Sequence, residues 1–425
     1  MKNDEPIDEK KQVEESPKSV LEQIIHEGAR RLLQAAIENE VAEYVERFKE
    51  MKNEKGHRMV VKNGSSPERT LVTGVGPLTI RQPRIHDRRE GESFTSAILP
   101  RYMRRVPTID KLLPVLYLKG ISTGDMASAL ESILGPDAPG LSANNIVRLK
   151  RVWETEYKDW AKRDLTGKHY VYFWVDGIHF NVRLEEPDTN RMCFLVVIGA
   201  LENGKKELVA ILDGYRESKS SWLEVLFNLK QRGLAEGPRL AIGDGSLGFW
   251  AALPEVYPET REQRCWVHKT ANVLAKLPKS QQAKAKRELQ EIWMAETKAD
   301  AIAAFDAFIE RYAPKYEKAS ACLQKDRDAL LAFYDFPAEH WKHLRTTNPI
   351  ESTFATVRHR TIRSKGCLSN KTALAMVFKL VEQAQRHWRR LDGHALLPKI
   401  ILGVKFKDGI EVAAKSAAEP KNAAA

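Results

Sequence analysis

The 425-residue chain carries 68 Lys and Arg against 57 Asp and Glu, a net charge of +11, with 43% hydrophobic and 8% aromatic residues. That apolar content supports a sizeable core and roughly two to four domains, which excludes a wholly disordered chain. Four cysteines without paired spacing and no run of 18 apolar residues exclude a disulfide-stapled secreted domain and an ordinary membrane span. No apolar signal segment opens the chain, so the expected location is cytoplasmic, with no membrane partner.

Residues 1–17 hold three Lys and six acids and are expected to form a disordered acidic tail. Apolar positions at helical spacing from Leu21 to Phe48 predict one amphipathic helix over about Val20–Phe48, whose stripe needs a partner. A polar stretch follows, Met51–Arg69. Thr70–Arg81 then reads as two short strands around a Gly-rich turn. Residues 18–106 are thus expected to be a helix plus a small β element.

Residues 107–165 read as helical, with helices over about Thr108–Leu118, Ser122–Leu134 and Ser142–Lys162. The last two open on Ser, a good N-cap. The break Gly135-Pro-Asp-Ala-Pro-Gly140 separates two helices that form either a helix-turn-helix reading DNA or an ordinary helical hairpin.

The period then changes. His169–Leu184, Arg191–Glu202 and Lys206–Gly214 read as strands, Ser220–Gly233 as a helix and Arg239–Gly243 as a short buried strand. Gly245–Tyr257 reads as a helix and Gln263–Val267 as a fifth strand. This succession describes a mixed α/β sheet of five strands over residues 166–268. Residues 269–340 read as all-helical, with stretches over Lys279–Glu296, Lys298–Tyr312 and Lys315–Phe333. A long helix starts near Pro349 and resumes through Trp388 after a break at Gly366, within a segment taken as residues 341–405. Residues 406–425 are expected to be a disordered tail.

From Trp341 to Leu391 there are eleven Lys and Arg and two Glu, interleaved with Trp341, Phe354, Phe378 and Trp388. A basic segment of this kind suits a nucleic-acid surface; a solvated helix face is the plainer alternative. Arg345, Arg358, Arg360, Arg363 and Lys365 are the candidate phosphate contacts, which position DNA without reading its sequence. Trp222 and Trp266 are candidates for stacking on a splayed base near the cleaved phosphate, against the commoner fate of tryptophan as core.

Three acids stand out. Asp176 lies inside a strand, on the face that alternation shares among Tyr172, Trp174, Ile178 and Phe180, where an unpaired charge costs several kcal/mol unless a cation meets it. Asp244 ends a buried strand, and Glu351 lies in the first turn of a long helix. Each has a plainer explanation. Asp176-Gly177 and Asp244-Gly245 are turn formers, and Asn348-Pro349-Ile350-Glu351 fits a capping box with Asn348 as N-cap. Converging on one side of a sheet, the three supply hard oxygen ligands for two Mg²⁺ or Mn²⁺ ions, which suits in-line phosphodiester chemistry. Cys265 and His268 form a pair that is either half of a zinc site or a packed Cys and hydrogen-bonded His near the site; the second is preferred, since structural zinc wants four ligands.

The chain resembles the Mutator-type transposases of bacterial insertion sequences over most of its length. Carrying the resemblance, in order, are strand-borne Asp176; Asp213-Gly-Tyr-Arg-Glu-Ser-Lys-Ser-Ser-Trp222; Gly243-Asp244-Gly245; Gln263-Arg-Cys-Trp-Val-His268; and Leu344-Arg-Thr-Thr-Asn-Pro-Ile-Glu-Ser352. The resemblance implies that Asp176, Asp244 and Glu351 are the catalytic, metal-holding triad of an RNase H-like core interrupted by an all-helical insertion. Cys265, His268 and Asn348 would support that site. It further implies metal-dependent cleavage at element ends, transfer of the 3′-hydroxyl, double-stranded DNA with terminal inverted repeats and target DNA as partners, and action as a dimer or higher. Departures are Gly177, where many relatives have Ala, and Lys269-Thr270, where the family usually continues with Arg-Asn. An RNase H-like nuclease that cuts without joining, and a non-catalytic DNA-binding regulator, are the rival expectations.

Overall fold

A computed structural model of the chain describes residues 19–122, 124–135, 143–181, 191–214, 216–245, 247–363 and 370–412. The chain divides into two compact units, Met1–Ile146 and Val147–Ala425. Among the described residues, no helix is long and apolar enough to cross a membrane.

In the first unit, α1 (Val20–Arg47) starts from a capping box between Ser19 and Glu22. It buries Ile37 and Val41, and Ile37 joins Leu71, Leu78, Ile80 and Leu99 in a small core. Leu21, Ile24 and Leu32 stay exposed on its outer side. The expected pair of short strands is β2 (Arg69–Thr73) and β3 (Gly76–Ile80), an antiparallel hairpin. Two further strands, β1 (Val60–Ser65) and β4 (Pro83–Asp87), pair with each other and were not expected. Both are largely solvated and polar, so neither carries a clear alternation. The helices α2 (Pro107–Leu118) and α3 (Met126–Leu134) follow; the break at 136–142 lies outside the described residues.

Helix α4 (Ala143–Ala161) was expected to belong with the N-terminal helical region, yet from Val147 onward it is part of the second unit. Tyr157 donates from its hydroxyl to the carbonyl of Ile211, and Glu156 pairs with Lys379.

The second unit is organised on one five-stranded sheet. Its strands are β5 (Tyr170–Asn181), β6 (Arg191–Leu201), β7 (Lys206–Gly214), β8 (Leu240–Gly243) and β9 (Arg261–Arg264), in the order β7-β6-β5-β8-β9. The first three run antiparallel, and β8 and β9 run parallel to β5. The expected mixed α/β sheet is present with this order. Helices α5 (Lys219–Gln231) and α6 (Leu247–Val256) cover one face, where Phe173, Val175, Trp222, Leu226, Phe249 and Leu253 share a dry core.

After β9 the chain is helical. It runs through α7 (Trp266–Leu274), α8 (Lys279–Met294), α9 (Lys298–Gln324) and α10 (Arg327–Leu331). Two separate helices were expected where α9 continues to Gln324; Pro314 lies inside it and Tyr316 has non-helical angles, so the expected break survives as a kink. The chain returns to the sheet through α11 (Trp341–Leu344) and α12 (Asn348–Arg363), and α12 packs on β5. The predicted break near Gly366 separates α12 from α13 (Asn370–Gln385), with 364–369 outside the described residues. After α14 (Leu397–Ile401), β10 (Phe406–Lys407) and β11 (Ile410–Glu411) form a short hairpin that seats Phe406. Disorder was expected from residue 406; this hairpin corrects that expectation as far as residue 412.

Candidate active site

Asp176 sits in the middle of β5, opposite Val196 of β6, where alternation turns it to the face of Tyr172 and Trp174. That face is closed by the returning chain: the Tyr172 hydroxyl lies 2.8 Å from His340 Nδ1, and the Trp174 indole donates to the His343 carbonyl at 3.0 Å. One strand over, Asp244 follows the last residue of β8, whose neighbour in register is Val175. Its carbonyl accepts from the Trp250 indole and from Arg264 Nη1, both at 2.8 Å, which fixes the turn.

Asp176 and Asp244 come together as expected, and a third acid joins them. Asp176, Glu217 and Asp244 each bring a carboxylate oxygen within 4.8 Å of the other two. Glu217 stands between β7 and α5, inside the segment Asp213–Trp222, and had not been singled out; an acid in a Ser-rich loop has no periodicity to mark it. Gly177 makes its position possible. A Cβ there would meet the Glu217 carboxylate oxygen at 2.3 Å.

The electrostatics follow from this crowding. Burial, then the charges of Asp244 and Glu217, push the Asp176 carboxyl up to about 7. The Gly177 N–H, which donates to Asp176 Oδ1 at 2.8 Å, works against that rise. A carboxylate so displaced marks a cluster short of positive charge.

Glu351 belongs to a neighbouring group, in which Cys265 Sγ, a His268 ring nitrogen and a Glu351 oxygen lie within 4.8 Å of one another. The backbone explains the meeting: the Cys265 N–H donates to the Gly243 carbonyl at 2.8 Å and the Trp266 N–H to the Arg345 carbonyl at 2.9 Å. His268 Nδ1 is 3.6 Å from Glu351 Oε1. Its bond with Cys265 raises the imidazole pKa against burial, and the charges of Cys265, Glu351 and Asp244 add to the rise. His268 therefore couples electrostatically to both Asp244 and Glu351.

The helix start at Glu351 is displaced by one residue from expectation. Helix α12 begins at Asn348, and the N–H groups of Ile350 and Glu351 donate to the Thr347 carbonyl at 2.9 and 3.0 Å. Thr347, not Asn348, is the cap. Its hydroxyl lies 2.6 Å from Glu351 Oε1 and 3.3 Å from Cys265 Sγ, so it donates to the carboxylate, the stronger acceptor. Thr347 is fully buried and was missed by the sequence reading. Asn348 is exposed on the rim.

The DNA-contact candidates separate. Trp222 is 0% and Trp266 1% exposed. Trp222 stacks edge-on to Phe249 in the core, and Trp266 donates from its indole to the Leu330 carbonyl at 2.9 Å. Neither ring can stack on a base in this fold, and that expectation is corrected. Arg345 is half-buried with its guanidinium 4.7 Å from the Phe333 ring centre and 5.2 Å from that of Trp341, which ties it to the helical insertion. Arg360 is buried at 2% exposure, while Arg358 is exposed beside Phe354. The Arg363 side chain and Lys365 lie outside the described residues. A cleft of about 760 Å³ instead offers other cations: Lys206, Lys342, Arg389 and Arg390 line it together with Asn348 and Glu351.

Over residues 1–390 the chain matches the family described as "Transposase, Mutator family". It is 53% identical over 292 residues to the transposase for insertion sequence element IST2 of Acidithiobacillus ferrooxidans, covering 67% of this chain and 95% of that one. Identity is 50% over 301 residues with the transposase for IS6120 of Mycolicibacterium smegmatis, covering 71% of this chain and 92% of the other. The transposase for IS256 in transposon Tn4001 of Staphylococcus aureus is more distant, at 27% identity over 326 residues, 76% of this chain and 80% of the relative.

Proposed function

The chain belongs to the Mutator family of transposases, and from that premise we propose that its second unit cuts and joins DNA at the ends of an insertion sequence, using Asp176, Asp244 and Glu351 to hold two divalent ions. The observation that carries the reading is the Asp176–Glu217–Asp244 cluster, whose oxygens crowd within 4.8 Å beside the group that contains Glu351. Hard oxygen donors in surplus over nearby cations fit Mg²⁺ or Mn²⁺. Bound there, such ions supply Lewis acidity for an in-line phosphodiester displacement by water or a 3′-hydroxyl.

The chain's own residues prepare the site. Asp176 is held by the middle of the sheet and Asp244 by the turn that Trp250 and Arg264 fix from behind. The Thr347 hydroxyl orients the Glu351 carboxylate. His268, whose imidazole pKa is raised to about 9 chiefly by Cys265, brings positive charge beside Glu351 and favours its ionised form. Lys206, Lys342, Arg389 and Arg390 attract the phosphates of DNA approaching Glu351 along the cleft.

The core is RNase H-like in this reading, supported by three antiparallel strands followed by two parallel ones and by the helices α7–α10 between β9 and α12. The first unit, with the helical region to residue 165, serves recognition of inverted-repeat ends, and two copies act together on a pair of ends. A strand-transfer assay on labelled DNA carrying the element's own ends tests the proposal. Wild type with Mg²⁺ yields joined products, and both EDTA and Asp176→Asn abolish them. Cleavage without joining would indicate a nuclease, and specific binding without any metal-dependent product would indicate a regulator.

A further inference from the structure

Beside the proposed catalytic cluster stands a second group of donors with a different chemistry. His179 on β5 and Cys193 on β6 are directly opposite each other in the antiparallel register. Directly opposed residues present their side chains to the same face of a sheet, with Cβ atoms about 5 Å apart. Onto that pair the Glu217 loop lays its carboxylate: His179 Nε2 lies 2.9 Å from Glu217 Oε1. One ring nitrogen of His179, Cys193 Sγ and a Glu217 oxygen all lie within 4.8 Å of one another. The sheet register sets the His179–Cys193 spacing, and Glu217 reaches the pair from the loop between β7 and α5. Gly177, on the same face, leaves the room that Glu217 occupies.

We propose that His179, Cys193 and Glu217 form a site for a thiophilic transition metal, Zn²⁺ above all, which shares Glu217 with the carboxylate cluster. An imidazole, a sulfur and one carboxylate are the donor set of borderline-soft ions, and Mg²⁺ has little affinity for sulfur. Three protein donors leave a fourth position for water or another group. Cys193 is buried at 1% exposure and His179 is exposed, so an ion enters from the His179 side and draws on a sulfur that is sealed from other reagents. Coordination replaces the thiol proton, which leaves to solvent as the Cys193 sulfur–metal bond forms. Because Glu217 faces both groups, an ion bound here withdraws one oxygen donor from the Asp176–Asp244 side. Resting on the proposed function, this makes the soft site an inhibitory one: Zn²⁺ weakens the hold on Mg²⁺ without occupying the Asp176–Asp244 pair.

The test is Co²⁺ absorption on the full chain freed of metal, because thiolate ligation of Co²⁺ produces a near-ultraviolet charge-transfer band that oxygen ligands do not. Wild type is expected to show the band and to lose it on titration with Zn²⁺. Cys265→Ser, which removes the thiolate of the neighbouring Cys265–His268–Glu351 group, is expected to keep the band, and Cys193→Ser in that background to abolish it. His179→Ala, a change at an exposed side chain that spares the core, is expected to weaken Zn²⁺ binding at least about tenfold, the minimum usually seen for loss of even an indirect partner. Asp176→Asn is expected to keep the band, since the soft site does not use that residue. Absence of the band in wild type, its loss in Cys265→Ser, its persistence when Cys193→Ser is added to that variant, or unchanged affinity in His179→Ala would overturn the inference. The measurement needs no DNA and no turnover, so failure of the strand-transfer proposal leaves its result readable. Mn²⁺ binding followed by electron spin resonance supplies the link between sites: one equivalent of Zn²⁺ should lower Mn²⁺ affinity at least about tenfold in wild type and not in Cys193→Ser, and equal effects in the two would refute the shared role of Glu217.

Discussion

Replacing Asp176 by Asn should make the metal-free protein more stable at pH 8, although it removes a carboxylate the proposed chemistry requires. Burial and the charges of Asp244 and Glu217 raise this carboxyl from 3.8 to about 7 in the folded chain. A carboxyl raised in this way contributes its full stability below the unfolded value and loses that contribution as pH climbs through about 7. Each pH unit between the two values is worth about 1.4 kcal/mol, so ionised Asp176 strains the metal-free fold by up to about 4 kcal/mol at pH 8. Asn removes the charge and keeps an oxygen to accept the Gly177 N–H. Since the site relaxes and admits water, we expect about 1–3 kcal/mol of that to be recovered. Urea unfolding in EDTA, followed by fluorescence of the buried indoles, measures it. Wild type should be less stable at pH 8 than at pH 5, Asp176→Asn should largely close that gap, and Mg²⁺ should stabilise wild type alone. An Asn variant less stable than wild type at pH 8, or a wild type indifferent to pH over this range, would refute the crowding argument.

Gly177→Ala should leave stability nearly unchanged, because the atoms it meets are the mobile end of Glu217, yet should displace that carboxylate and weaken Mn²⁺ binding at least about tenfold in a titration. Thr347→Val should slow strand transfer about tenfold or more and cost about 1–3 kcal/mol of stability, and Thr347→Ser should restore both, because the buried hydroxyl that donates to Glu351 is what is lost. Trp222→Ala should cost about 3–5 kcal/mol by chemical denaturation, as for any large core side chain, and leave the DNA affinity of the folded fraction intact. Arg389→Ala and Arg390→Ala should each weaken DNA binding uniformly across sequences and reduce the salt dependence by about one phosphate contact.

The parts of this architecture legible in the sequence are those where burial imposes a period. Strands β5, β6 and β7 are buried along most of their described length, and their alternation and apolar runs place them within a few residues. Asp176 stood out because a charge interrupts such a run. The hairpin strand β1 and its partner β4 left no comparable trace, being solvated and polar on most of their residues. Glu217 was invisible for a different reason: its role is created by the loop's position over Gly177, a relation between residues forty apart. Tryptophan identity says nothing about exposure, which is why Trp222 and Trp266 were read toward DNA although both lie in the core. The cap at Thr347 shows the same limit at short range. Either Thr347 or Asn348 can start a helix before Pro349, and the choice falls to Thr347 because its hydroxyl reaches Glu351 and Cys265 once the chain has folded.

The most direct test of the proposed chemistry places sulfur at one non-bridging oxygen of the scissile phosphate and compares Mg²⁺ with Mn²⁺ in the cleavage step. If carboxylate-held ions touch that oxygen, one diastereomer should be cut at least about tenfold more slowly with Mg²⁺ and recover with Mn²⁺, which tolerates sulfur better. Asp176→Asn and Asp244→Asn should be inactive with either ion. Equal slowing with both ions, or cleavage that survives loss of both carboxylates, would contradict a metal-dependent site built on Asp176 and Asp244.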